Sequence, residues 1–439
     1  MLVRKADSAL PAPDWRAWIG GLLWLLLLAC GGGDAGPRPP NLVLLIGDDH
    51  GFPDFGFMGS PIVQTPRLDR LAEEGVVFPL GYSTSSLCRP ALRTLLTGLE
   101  PVQYGHTERE LRAASEAPVP NSEVIRRIDT LPRLLRERGY ATFQAGKYLE
   151  GHYAAAGFEE GMVEHRGAAG LRQADRLVRE TLDPVLAFVD ANANRPFFLW
   201  FAPKLPHLPH DPPKRFRDLY ADADASAAAR LYYASISWFD EAVGRLLDHL
   251  DARGLADDTL VVYLADNGWD PRPPESADQL ALGGPQGKKS LYELGFRTPI
   301  VLRGPGVPAP ARHAGALVSI ADLFPTLLEA AGARRPQGRM GRSLWPLLAG
   351  TATPREELVG WTHVVRNAPG RRITGGFFWR DLRWHYLQPD GLPNELYDLE
   401  TDPAETTNVV RQHPEVVRRA TKAIRAWVRR VPQVAAHLP

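Results

Sequence analysis

Four apolar runs constrain this chain more than any other feature: Asn41–Gly47 (NLVLLIG), Tyr140–Ala145, Pro196–Ala202 and Leu260–Ala265. The first has no polar alternation, the pattern of a strand covered on both faces. Helical patterns separate the runs. Thr65–Ala72 opens with a threonine in the cap position and Pro66 first in the helix, Leu131–Arg138 is closed by Gly139, and Ala227–Leu250 is strongly helical. Such alternation predicts an α/β fold, a large mostly parallel sheet flanked by helices. Ligands of such sheets gather at the carboxyl ends of the strands. After about Trp345 the texture shortens to strand-like pieces, Gly375–Trp379 and Leu382–Leu387, then a helical stretch, Pro414–Val431. A smaller C-terminal α+β subdomain over 345–439 is expected.

The chain has 439 residues, with 51 Lys+Arg against 51 Asp+Glu. This balance argues against a nucleic-acid partner. The arginines between Arg411 and Arg430 recur at helical spacing and read as a solvated face. At the other end, Arg4, Lys5 and Arg16 precede an apolar run, Trp18–Ala29, suited to a signal peptide over 1–29. Leu27-Leu28-Ala29-Cys30 resembles a bacterial lipobox, and 30–40 reads as a tether. The expectation is an exported protein of the cell envelope (periplasm or outer membrane), held to a membrane only through lipid on Cys30; ordinary signal cleavage is the alternative.

Cys88 is the one cysteine left if Cys30 carries lipid. It stands in Ser85-Ser86-Leu87-Cys88-Arg89-Pro90-Ala91-Leu92-Arg93-Thr94-Leu95-Leu96-Thr97-Gly98. Ser86 is a cap candidate, Pro90 suits a first turn and Gly98 suits a stop. A thiol at a helix N-terminus is expected to favour its anion; the plain alternative is a small buried side chain. Asp48 and Asp49 end the first apolar run, and Asp266-Asn267 end the last. Adjacent carboxylates at a buried strand end repel unless a cation or basic groups compensate.

These segments resemble the type I sulfatases of the alkaline-phosphatase-like superfamily, in which the cysteine of a Cys-x-Pro-Ser-Arg motif becomes formylglycine. Cys88, Pro90 and Leu95-Leu96-Thr97-Gly98 match. Leu92 stands where the family has its arginine, leaving Arg89 and Arg93 as substitutes, with His152 and His210 as further substrate-binding candidates. Thr65–Leu71, Ser319–Leu328 and Glu395–Leu399 are landmarks in family order, so the likeness covers most of 41–408, with 41–344 as the catalytic domain.

The resemblance implies that Asp48, Asp49, Asp266 and Asn267, with residue 88, hold one divalent cation. Oxygen donors favour Ca2+, with Mg2+ the alternative. It assigns Lys147 and Lys288 to the sulfate and the modified residue, with Lys288 preferred over Lys289 by alignment to Ser290-Leu291-Tyr292-Glu293. His207, set among prolines after a strand, is the acid/base candidate. His50 reads as a loop histidine. The implied reaction is hydrolysis of a sulfate monoester by a formylglycine gem-diol, with His207 or Lys288 protonating the departing alcohol. The partners implied are a small-molecule or carbohydrate sulfate ester and the formylglycine-generating system. Alternatives are phosphonate or phosphate monoester hydrolysis at the same site, or binding of sulfated ligands without cleavage if Cys88 stays a thiol. Substrate choice is expected in 108–128, 271–284 and around Trp384 and His385.

Overall fold

Strand β1 (Asn41–Gly47) has no face that meets water, for all seven of its residues are buried. Leu42, Leu44 and Ile46 enter one core with Leu92, Leu95, Leu131 and Leu323. Val43 and Leu45 point the other way, into a core with Leu68, Leu71, Phe188, Phe239 and Val243. Each aliphatic side chain so buried contributes about 1.5–3 kcal/mol, which is why the run tolerates no alternation. The computed structural model describes residues 38–115, 119–165, 167–269, 286–308, 310–365 and 373–433. The signal-peptide run, Cys30, most of the tether and the loop 271–284 lie outside the described residues.

The remaining strands of the large sheet are β2 (Val76–Phe78), β4 (Ala141–Gly146), β5 (Glu160–Gly161), β6 (Phe197–Ala202), β7 (Thr259–Ala265), β8 (Ile300–Arg303) and β9 (Ala311–Arg312). Their spatial order is β5-β4-β6-β1-β7-β8-β2-β9. From β5 to β7 every pairing is parallel, while β8 runs antiparallel to both β7 and β2. The sheet is therefore mixed but mostly parallel, as expected. The short strands β3 (Gly81–Tyr82) and β10 (Val318–Ser319) pair separately. A four-stranded antiparallel sheet follows: β11 (Glu357–Val365), β12 (Ile373–Asp381), β13 (Trp384–Pro389) and β14 (Glu395–Asp398).

Five helices matter to the argument: α1 (Pro66–Glu73), α2 (Cys88–Thr97), α3 (Ala227–Ala252), α4 (Leu323–Ala330) and α5 (Pro414–Arg430). On α5 the residues Val416, Ala420, Ile424, Trp427 and Val428 are buried at helical spacing, so its arginines are left to the outer face. Two cap expectations need correction. Helix α2 starts at Cys88, one residue after Leu87, and the Ser86 hydroxyl makes no hydrogen bond. Pro90 is thus the third helical residue. Gly98 does stop the helix, with φ 67° and its N–H on the Thr94 carbonyl at 2.7 Å.

Thr65 does not cap α1 either. Its hydroxyl donates to Asp69 Oδ1 and accepts from the Gly56 N–H, both at 2.9 Å. The cap comes from another helix: Asp240 on α3 accepts from the N–H groups of Arg67 (3.0 Å) and Leu68 (2.8 Å). Burial pushes the Asp240 carboxyl up to about 7, against the pull of these two donors. Asp240→Ala leaves both donors buried and unmet, so urea unfolding is expected to show a loss of about 1–2 kcal/mol. Unchanged stability would show that the cap is dispensable.

Candidate active site

Four neighbouring strands end at one place. Asp48 and Asp49 follow β1, Lys147 follows β4, His207 comes five residues after β6, and Asp266-Asn267 follow β7. In the sheet these strands are contiguous, in the order β4-β6-β1-β7. Cys88 opens α2, and Lys288 precedes a short helix, Glu293–Phe296.

Local backbone chemistry sets these residues in place. Gly146 has φ 82°, and a Cβ there would collide with the Ala202 carbonyl. Only glycine lets β4 end against β6 and turn Lys147 inward, its N–H 2.6 Å from the same carbonyl. Asp49 itself has φ 64°, a left-handed conformation costly for a non-glycine residue and concentrated at functional sites.

The charges pair in a crossed pattern. Lys147 Nζ lies 2.5 Å from Asp48 Oδ1 and 3.6 Å from Asp266 Oδ2. Lys288 Nζ lies 2.5 Å from Asp49 Oδ1, which also accepts from Asn267 Nδ2 at 2.7 Å. His207 Nε2 stands 3.6 Å from Asp49 Oδ2. Its Nδ1 lies 2.6 Å from the Leu208 carbonyl. A carbonyl only accepts, so Nδ1 carries the proton and Nε2 faces the cluster.

Burial decides the protonation states. It works against the charge on Asp49, but Lys288, His207 and Lys147 outweigh it and hold the carboxyl well below its usual range. Burial likewise opposes the ammonium groups, and Asp48 and Asp49 override it, raising Lys147 and Lys288 well above a free lysine. Asp266 goes the other way: burial, with Asp48 and Asp49 nearby, pushes it up to about 7 despite Lys147. Cys88 is within the reach of the same charges. Burial raises its pKa although Lys147 and Lys288 pull it down, which corrects the expectation of a thiolate. The helix N-terminus does not overcome the dry surroundings. Left as a thiol, Cys88 is a weak nucleophile.

Four oxygens in this cluster are buried with no hydrogen-bond partner among the described residues: Asp48 Oδ2, Asp49 Oδ2, Asp266 Oδ2 and Asn267 Oδ1. They belong to the four residues expected to bind a cation. Unmet buried oxygens of this kind are costly unless an ion takes them. Ligand atoms of Asp48, Asp49 and His207 fall within 4.8 Å of one another. The donor set is dominated by oxygen and fits a hard divalent cation.

The other candidates do different work. Arg89 and Arg93 both grip Glu150, and Leu92 is buried in the core. His152 caps a short turn, its Nδ1 accepting from the Ala154 N–H at 3.2 Å. His210 lies against Tyr232, with ring centroids 5.4 Å apart. His50 is buried between Phe55 and Tyr263, and burial lowers it to about 3. His385 and Trp384, around which substrate choice is expected, are themselves buried, and His385 Nδ1 pairs with Glu405 at 2.5 Å. Sequence reasoning missed Glu150. Its signal was faint, an acid placed before Gly151 and three residues after Lys147.

The sulfatase family profile matches residues 40–333, and that of the N-sulphoglucosamine sulphohydrolase C-terminal region matches 284–429. N-acetylgalactosamine-6-sulfatase of Canis lupus familiaris is 32% identical over 399 residues, covering 78% of this chain and 72% of its own. Human arylsulfatase A is 32% identical over 456 residues, covering 88% and 86%. Among solved structures, Ps i-CgsB in complex with k-i-k-neocarrahexaose superposes with a TM-score of 0.71 at 24% identity, covering 89% of this chain and 93% of that one. The chain belongs to the sulfatase family and is a hydrolase of sulfate esters.

Proposed function

We propose that the enzyme cleaves a monoester of sulfuric acid on a carbohydrate, with residue 88 as formylglycine and one Ca2+ held by Asp48, Asp49, Asp266 and Asn267. The observation that carries this is the set of four orphaned oxygens, gathered beside two buried lysines that pair with the other oxygens of Asp48 and Asp49. Three carboxylates stand against two ammonium groups, and burial beside Asp48 and Asp49 pushes Asp266 up to about 7. A divalent cation would leave one positive charge over. That surplus suits a sulfate monoester, with its single negative charge, better than a doubly charged phosphate monoester.

A divalent cation held by these residues would supply Lewis-acid polarisation. Formylglycine, once hydrated, supplies a hydroxyl nucleophile that the weakly acidic Cys88 thiol does not. Lys147 and Lys288 remain charged and aim their ammonium groups at the nonbridging sulfate oxygens. Lys288 is too firmly protonated, through Asp49, to give up its proton readily. His207 is the better general acid, because Nδ1 is fixed on Leu208 and Nε2 is free to carry the proton delivered to the leaving oxygen. The carbohydrate substrate rests on the relatives' named substrates and on the neocarrahexaose complex of a fold neighbour. Export, and lipid on Cys30, rest on the N-terminal sequence alone.

The mass of the tryptic peptide containing Cys88, from protein made in a host with a formylglycine-generating system, is expected to be that of formylglycine, lighter than cysteine. A retained thiol in active enzyme would overturn the role given to residue 88. Asp266→Ala is expected to abolish stoichiometric Ca2+ binding in calorimetry and to lower kcat by about 100-fold or more. Full activity in excess chelator would remove the cation from the reading. His207→Ala should slow esters of poor leaving groups by about 100-fold or more, and 4-nitrophenyl sulfate far less, since nitrophenolate departs without a proton. An equal loss on both would assign the proton to another group.

A further inference from the structure

We infer that Glu150 is a positioning residue, which with Arg89 and Arg93 clamps the first turn of α2, and so residue 88, to the loop that carries Lys147. The inference rests on the roles proposed above for residues 88 and 147. Arg89 and Arg93 are four residues apart on α2 and share a face of the helix. Arg89 reaches Glu150 with Nε (2.8 Å) and Nη2 (3.1 Å). Arg93 does the same, at 2.8 Å and 3.3 Å. One carboxylate thus receives two forked guanidinium groups, the strongest and most directional form of ion pair available to side chains.

The environment leaves Glu150 and Arg93 little other work, while Arg89 is partly exposed. The Glu150 side chain is 1% exposed and that of Arg93 12%. The remaining Arg93 nitrogen, Nη1, goes to Glu108 at 3.1 Å, and its guanidinium carbon lies 4.1 Å over the Tyr104 ring. Each nitrogen of Arg93 therefore already donates to a carboxylate, Nε and Nη2 to Glu150 and Nη1 to Glu108. Glu150 is brought round by a sharply turned loop, with φ 71° at Leu149 and φ 99° at Gly151. A left-handed leucine is strained, and the two arginines are what the strain secures. At the far end of the same loop, Lys147 is tied to Asp48. The clamp therefore fixes the separation of two groups that must both meet the sulfate. A misplacement of about 1 Å there costs about 100-fold in rate.

The test compares wild type with Glu150→Gln and with the double variant Arg93→Met/Glu150→Met, which removes a charge pair together and keeps the interior apolar. Three quantities are read: conversion of Cys88 by mass, kcat and KM for 4-nitrophenyl sulfate per converted enzyme, and amide exchange. Expected are a kcat lowered by about 10- to 100-fold, a KM within about twofold of wild type, and Glu150→Gln less impaired than the double variant. Exchange should quicken by about tenfold or more in 86–92 and 147–151 and stay unchanged elsewhere. Wild-type kcat with unchanged exchange overturns the clamp. So does a loss of kcat accompanied by a uniform rise in exchange, which would mean general destabilisation. If wild-type enzyme converted at residue 88 turns over neither 4-nitrophenyl sulfate nor sulfated carbohydrates, the proposed residue roles fail, and exchange in the two segments still decides the clamp.

Discussion

Like charges packed where water cannot screen them are the constraint on which this molecule is organised. Asp48, Asp49 and Asp266 are each 2% exposed or less, and so close that Asp48 and Asp49 help to raise Asp266. Such a cluster persists only if the surrounding fold holds it and opposite charge enters. Lys147 and Lys288 provide part of that charge from two different segments. The rest is the opening for ion and substrate. The strained Asp49 backbone and the close approach at Gly146 follow from the same demand, since both bring charges nearer than regular strand geometry would.

The C-terminal sheet takes part in this arrangement from behind. Glu293, five residues after Lys288, accepts from Tyr82 at 2.9 Å and from Arg380 of β12 at 3.2 Å. Its N–H donates to Glu405 at 2.7 Å, and Glu405 also holds His385 of β13. Phe296, Phe378, Leu387 and Tyr397 close an apolar layer around these groups. The segment that delivers Lys288 is thus gripped by the second sheet through buried, charge-assisted bonds.

Much of this was legible in the sequence. Continuous apolar runs gave away strands buried on both faces, and the acids at their ends gave away the cluster, because few other arrangements place paired carboxylates there. Lys288 was separable from Lys289 only through resemblance; physically, the two differ because Lys288 reaches Asp49 while Lys289 has φ 73°. Caps were misread at Thr65 and Ser86, since capping is read locally and Asp240 lies 173 and 172 residues from the Arg67 and Leu68 donors that it caps. The state of Cys88 was misread for a similar reason: position at a helix N-terminus is visible in sequence, whereas desolvation is not. Glu150 escaped because a single acid in a loop has no periodicity to betray it.

The cap on α1 bears on how the protein comes into being. Its donors, at Arg67 and Leu68, leave the ribosome long before Asp240 does, and the charged cluster waits longer still, until Lys288. For most of that interval the growing chain carries the adjacent acids Asp48 and Asp49 without Lys288, and Asp266 joins them only late in it. Synthesis therefore passes through a long stage in which β1 lacks β7 as its neighbour and Asp49 lacks Lys288, and binding of nascent chain by chaperones has its greatest scope there.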